Sequence, residues 1–249
     1  NMSNSGISNV GIVAKSNFQS LMDHVGSGSA YDLSKRRSNL SILPPYDGKA
    51  FSSFVETIYN MHGYIEHCRE EYVLISQGNV ITNIDYTDVF DFHSKKKADI
   101  TLIYKNHAIP QGYDRPITLD VDNDGKVNQI FVKPGVVDKG VFNHAYGSIL
   151  IKKDLLMSEI RNAISVNQLD VKRLLQSSLG KYSIYAYENK GYCAAISSIN
   201  DYFEFNMDLM KKEVRDELFN PQRPIYTKVR DDAPSRYGLT SNVKNSIIA

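Results

Sequence analysis

The stretch Glu71 to Tyr86, EYVLISQGNVITNIDY, constrains this chain more than any other. Its apolar run, Tyr72-Val73-Leu74-Ile75, is closed by a polar turn, Ser76-Gln77-Gly78-Asn79. A short run with such a stop reads as a fully buried strand, the kind found in the middle of a parallel sheet. In open α/β sheets, ligands bind outside the carboxyl ends of the strands. Asn79 and Asp85 therefore fall where such a fold keeps its chemistry. The question is what an amide at Asn79 can do in place of a carboxylate.

The surrounding pattern supports an α/β domain. Val10 to Ala14 reads as a buried strand, and Phe18, Leu21, Met22 and Val25 follow with helical spacing. Gly26 to Tyr46 is loop-like. Phe51, Phe54, Val55, Ile58, Met61 and Ile65 form the clearest helical stripe, which packs on the strand after it. A further helix is expected from Thr87, taken as its N-cap, to Lys97, and then a strand from Asp99 to Tyr104. This rhythm argues a parallel sheet with right-handed crossovers. Beyond it, Ile117 to Lys133 reads as a hairpin about Asn123-Asp124-Gly125, whose turn residues tolerate positive φ. Tyr146 to Ile151 is another strand, followed by helices near Lys153 to Ala163 and Leu169 to Ser178. Tyr182 to Tyr187 and Tyr192 to Ile196 read as strands on either side of a turn at Asn189-Lys190-Gly191. A long helix begins at Ser198, with Asp201 as a partial capping box and Tyr202, Phe205 and Leu209 on its inner face. Asn220 to Arg236 holds three prolines and reads as a linker. Asn242 to Ala249 turns β-like again.

Composition excludes more than it suggests. A net charge of +1 on 249 residues gives no reason to expect nucleic acid or an anionic membrane as partner. No apolar stretch reaches the roughly 18 residues that a membrane helix needs, and no signal peptide is present. Cys68 and Cys193 stand in no CxxC pair and read as free buried thiols, so a cytoplasmic setting is expected. The chain starts without an initiator methionine and stops on the apolar run Ile247-Ile248-Ala249, as part of a longer protein would.

Residue patterns alone bring no catalytic constellation together. Lys35-Arg36-Arg37 could hold a phosphate, but three charges in a solvated loop need no partner. Gly48-Lys49 lacks both the upstream glycine and the following Ser or Thr of a phosphate loop. Asp120, Asp122, Asp124 and Gly125 open like a calcium loop, yet Phe131 stands where a bidentate Glu is required. The six histidines are scattered, and His62 and His67 are five apart, the wrong spacing for one helix face.

Several stretches taken together resemble the ADP-glucose pyrophosphorylases (glucose-1-phosphate adenylyltransferases). They are Asn4 to Ile7, Glu71 to Tyr86, Phe131 to Pro134, Tyr185 to Leu209 and Pro224 to Thr227. The most specific is YAYENKGYCAAISSINDYFEFNMDLM, Tyr185 to Met210. The match is best with the GlgD type, the non-catalytic bacterial partner subunit. The resemblance implies a Rossmann-like nucleotide-diphospho-sugar transferase fold, with a mixed, mostly parallel sheet flanked by helices. It divides the chain into a nucleotidyltransferase-like domain at 1–218, without its N-terminal Gly-rich loop, and a linker with the start of a β-helix domain at 219–249. It also implies a reaction. A glucose-1-phosphate oxygen attacks the α-phosphorus of ATP and pyrophosphate leaves, which demands positioning and a divalent metal more than covalent catalysis.

In catalytic members two aspartates hold Mg²⁺, and this sequence departs from the pattern at both. The Gly-Asp-His turn aligns with Gly78-Asn79-Val80, and the second aspartate becomes Ala195. Mg²⁺ prefers anionic oxygens in near-octahedral order, so no metal is expected on this chain. The Glu-Lys-Pro sugar-phosphate motif is Val132-Lys133-Pro134, the serine before Tyr146-Gly147 is Ala145, and a Gly-Thr pair on the ATP side is Ser53-Phe54. Lys133 and Gly147 remain as weak substrate-binding candidates. The resemblance implies a regulatory subunit that pairs, as a homo- or hetero-tetramer, with an active homologous subunit carrying the Mg²⁺. Two alternatives stand beside it. One is an active adenylyltransferase that recruits Asp85, whose other reading is a residue leading into the helix. The other is a sensor of sugar phosphates or nucleotides.

Overall fold

The computed structural model describes residues 1–14, 18–34, 39–43, 53–108, 117–132, 141–226 and 242. In chain order the elements are β1 (Asn9–Val13), α1 (Phe18–Val25), β2 (Asn39–Leu43), α2 (Phe54–Asn60), α3 (His62–His67), β3 (Tyr72–Ile75) and β4 (Val80–Thr82). Then come α4 (Tyr86–Lys96), β5 (Ile100–Ala108), β6 (Ile117–Val121), β7 (Val127–Val132), β8 (Val141–Lys152) and α5 (Lys153–Ser165). The last are α6 (Val171–Ser178), β9 (Ile184–Glu188), β10 (Cys193–Ala195), α7 (Ile199–Asp208) and α8 (Lys212–Leu218).

The main sheet runs β7-β6-β8-β5-β9, with β3 also on β8. Successive side chains of a strand point to opposite faces. Ile100 and Leu102 of β5, Ile149 and Ile151 of β8, and Ile184 of β9 enter one core with Val55, Ile58 and Ile65 of the α2–α3 region and Ile160 of α5. Ile103 and Leu150 enter a second core with Val89 of α4. Helices thus cover both faces, as expected for an α/β domain.

Strand direction departs from the expectation. The sheet is mixed, but among the described strands parallel pairing occurs at β5–β9 and, in a separate ribbon, at β1–β2, and the other pairings are antiparallel. β3 is not a central parallel strand. Among the described residues it pairs only with β8, antiparallel, and all four of its residues are half-buried. It nevertheless reads as continuously apolar because both faces are packed. Val73 and Ile75 meet the first core, and Tyr72 and Leu74 meet the second.

Other boundaries moved for identifiable reasons. The long stripe is two helices, because Met61 leaves helical geometry at φ −90°, ψ 5° while remaining in the core at 2% exposure. Phe51, Lys35 to Arg37 and Gly48-Lys49 lie outside the described residues. Within the expected loop, Asn39 to Leu43 forms β2 by parallel pairing with β1, a tertiary contact that no local pattern announces. Asp85, not Thr87, is the N-cap of α4. β9 and β10 do not pair with each other, since β9 joins β5 and β10 joins β4. The capping box at Ser198 and Asp201 is complete. Phe205 and Leu209 are half-buried, but Tyr202 is 58% exposed and lies off the inner face. In the β6–β7 hairpin, Asp122 Oδ1 accepts from the amides of Asp124 and Lys126, so this carboxylate closes the turn. Cys68 and Cys193 are free and half-buried.

Leu102 is 1% exposed at the centre of the first core. Leu102→Ala is expected to cost about 2–5 kcal/mol, read from urea unfolding. A loss near zero would mean that the site collapses around the missing methyls.

Candidate functional site

The candidate site is built where β8 changes partners. One edge of β8 carries β6 at His144 and Ala145 and then β3 from Ile149 to Lys152. On its other edge the β5 register jumps, with Ile103 opposite Ser148 and Tyr104 opposite Ala145. Tyr146 and Gly147 are left as a bulge. Such bulges re-aim side chains and end pairing. Gly147 sits at φ +75°, and a Cβ there would collide with the Gln77 side chain. Glycine therefore lets the turn after β3 lie directly on the bulge. Ser76 Oγ and Ser148 Oγ, 3.1 Å apart, tie the two together.

The next tie is the ribbon formed by β4 and β10. Val80 faces Ala195, Ile81 faces Ala194 and Thr82 faces Cys193. Just beyond it, the Ile196 amide donates to Asn79 O at 2.9 Å, and Asn79 Nδ2 donates to Ile196 O at 3.1 Å. Asn79 and Ala195, 116 positions apart in the sequence, thus meet at one end of one ribbon. At the other end Thr82 Oγ1 donates to Tyr192 O at 2.8 Å, and Asn189 Nδ2 donates to Thr82 Oγ1 at 2.9 Å. Lys105 Nζ donates to Lys190 O at 2.8 Å and also reaches Gly191 O, which pins the same turn from β5.

These donors do not fit a divalent cation. Ala195 offers no side-chain oxygen, and the one carbonyl of the Asn79 side chain is neutral. Its nitrogen half is spent on the Ile196 carbonyl. Asp85 is committed elsewhere, since its Oδ1 accepts from the Thr87 amide at 2.9 Å and from Ser5 Oγ at 3.2 Å. Burial pushes the Asp85 carboxyl up, but these hydrogen bonds and the Arg223 charge outweigh it and hold it below the usual range. Its placement at the α4 N-terminus is that of a helix cap. No group of three or more His, Cys, Asp or Glu side chains suited to a metal occurs among the described residues. Lys133 lies outside the described residues.

The sequence concealed one cluster. Tyr146, on the bulge, hydrogen-bonds the His107 ring through its hydroxyl and stacks on it with centroids 5.3 Å apart. His107 Nε2 lies 3.4 Å from His144 Nδ1. The two histidines come from β5 and β8, and only the ladder brings them together, so no spacing signal could have shown it. Burial, with His107 and Lys172 nearby, pushes the His144 imidazole down to about 3. Tyr146 also bonds the Cys193 thiol, which burial pushes up to about 12 despite Lys105. These are the properties of buried, neutral groups.

The comparisons with known proteins agree with this architecture. No protein-family model matches the chain. A structure described as a glucose-1-phosphate thymidylyltransferase from Bacillus anthracis superposes with a TM-score of 0.66 at 12% identity, covering 89% of this chain and 82% of that one. HddC from Yersinia pseudotuberculosis superposes with a TM-score of 0.57 at 14% identity, covering 84% and 83%. The fold is that of the sugar-phosphate nucleotidyltransferases. By sequence the chain is 34% identical over 258 residues to the glycogen biosynthesis protein GlgD of Geobacillus stearothermophilus and 27% identical over 253 residues to that of Bacillus subtilis. It is 29% identical over 258 residues to a glucose-1-phosphate adenylyltransferase of Clostridium acetobutylicum. Each match covers the whole chain, which in turn spans 63% of either GlgD protein and 67% of the adenylyltransferase. By sequence the chain is similar both to glucose-1-phosphate adenylyltransferases and to GlgD proteins.

Asn79→Asp would set a carboxylate oxygen against the Ile196 carbonyl in place of a donor. A loss of about 1 kcal/mol is expected, unrelieved by Mg²⁺, and thermal unfolding with and without the ion checks it. A second expectation concerns pH. His144 and His93, which burial also pushes down, take up a proton less readily in the fold than in the unfolded chain. The stability they contribute is full above the unfolded value of about 6.5 and is lost as pH falls below it, for His144 down to about 3. His144→Asn should flatten part of that loss in urea titrations, leaving the part due to His93.

Proposed function

We propose that this chain is a regulatory subunit of a glucose-1-phosphate adenylyltransferase in glycogen synthesis. It would keep the nucleotidyltransferase fold, assemble with an active homologous subunit as a tetramer in the cytoplasm, and leave Mg²⁺ and the chemistry to that partner. The observation that carries the reading is the meeting of Asn79 and Ala195 across the end of the β4–β10 ribbon. Both positions that correspond to metal-holding aspartates in catalytic relatives lack a charge. Two missing anions cannot be replaced by one neutral amide oxygen. Without the cation, charge accumulating on the transferred phosphoryl group has no counter-charge at this corner. Asp85, the carboxylate nearest in sequence, is engaged as the cap of α4, which argues against its recruitment.

The test is ADP-glucose formation by the full-length protein with Mg²⁺, alone and mixed with an active homologous subunit. The lone protein is expected to be inactive. The mixture should change the partner's apparent affinity for substrate or effector by about fivefold or more. Robust Mg²⁺-dependent turnover by the lone protein would overturn the proposal.

A further inference from the structure

We propose that a second cleft, lined by none of Asn79, Gly147 or Ala195, binds a short neutral oligosaccharide. It lies between α4, the tip of the β6–β7 hairpin and the carboxyl end of β9, and encloses about 750 Å³. That volume is in the range of small-molecule sites, about 300–1,000 Å³. Asp85 and Asp88 border it near the start of α4, and Asp124 borders it at the hairpin tip. Phe92, Tyr104 and Tyr187 supply aromatic surface.

Three observations point to the class of ligand. The first is charge. Six carboxylates and four basic side chains line the cleft, and Lys96, one of the four, is paired with Asp124 at 2.5 Å. The excess of anions disfavours phosphorylated ligands. Asp85, Asp122, Asp124 and Glu217 already hold protein partners, and Asp88 and Glu188 are the exposed carboxylates that offer acceptors to a ligand rich in O–H groups. The second is the set of aromatic faces. Phe92 of α4 and Tyr187 of β9 pack edge-on against each other at 5.5 Å, so they form one continuous aromatic patch on the cleft wall. Flat apolar surface beside acceptors suits a sugar ring, which has C–H faces and hydroxyl edges.

The third is Asn83, which lines the cleft and is 7% exposed. Its Nδ2 donates to Leu218 O at 2.8 Å and to Arg223 O at 3.0 Å, which fixes the orientation of the amide. Its Oδ1, on the other edge, is buried without a partner. A buried acceptor left unmade costs about 1–3 kcal/mol, and the neighbouring carboxylates cannot donate to it. A ligand hydroxyl or a water could donate to it once the cleft wall shifts to admit one, because the atom is closed to solvent as it stands.

The choice of glucose as the sugar rests on the proposed place in glycogen synthesis, whereas the cleft chemistry does not. The full-length protein would be titrated with maltotriose by calorimetry. Tyrosine fluorescence would run in parallel, since the chain has 16 tyrosines and no tryptophan. Saturable binding is expected. Asp88 and Glu188 are both exposed and line the cleft, so the double variant Asp88→Ala/Glu188→Ala should fold normally and weaken binding about tenfold or more. Asn79→Asp should leave the affinity unchanged. No saturable binding of maltotriose, or equal binding by the double variant, overturns the proposal. Saturable binding of spermidine without maltotriose also overturns it, in favour of a cation site. The titration measures no ADP-glucose, so its failure would leave the subunit reading standing, and an active lone subunit would not touch the cleft.

Discussion

β8 is the strand on which the rest of the molecule depends. It pairs with β3, β5 and β6, and its inner residues feed both cores. One strand has two edges, so it can hold three partners only if one edge is shared. The bulge at Tyr146 and Gly147 coincides with that handover. Before it the shared edge carries β6, and after it β3. A bulge kinks and twists its strand, which opens room at the surface there. The turn after β3 comes down into that room, Gln77 over Gly147 and Ser76 against Ser148. The location of the candidate site thus follows from a pairing constraint in the sheet.

From this corner a chain of polar ties runs outward. Asn79 joins β4 to the backbone after β10, Thr82 joins β4 to the turn before it, and Lys105 joins that turn to β5. Most of these ties use backbone carbonyls as acceptors. An amide or an amine can donate to a carbonyl, and an ionised carboxylate cannot. A donor at Asn79 therefore suits a corner held by backbone bonds, and an aspartate suits one held by a cation. The sequence difference and the hydrogen-bond pattern describe the same choice.

How much of this was legible in the sequence follows from the range of each interaction. The β6–β7 turn, the helices α4 and α5 and the Ser198–Asp201 cap are local features, and the structure has each of them near where the sequence puts it, the cap being complete where the sequence reads it as partial. The alignment of Asn79 and of Ala195 with two separate family aspartates came from the resemblance and lay beyond periodicity. The direction of β3 was misread, because an apolar run of four residues reports that both faces are covered and says nothing of which strand lies beside it. The β2 strand and the His107–His144 contact are set wholly by partners distant in the chain. Tyr202 was placed inward by helical spacing alone, yet α7 has no buried residue, so its apolar side chains do not define a core face.

The fold keeps its shape without charge at the two aligned positions, and electrostatics supplies a reason. Two carboxylates held near each other at one ribbon end repel unless a cation lies between them, and the repulsion grows as water is excluded. A catalytic subunit accepts that strain because the metal relieves it and the reaction needs it. On the proposed regulatory reading, neutralising either partner would add stability. Neutralising both removes the repulsion entirely, and Asn79 then adds a hydrogen bond to Ile196. Loss of one aspartate also removes most of the reason to keep the other, because a single anion no longer orders the ion. On the proposed reading, uncharged residues at both Asn79 and Ala195 are mutually consistent, since neither position then needs a cation to offset the other.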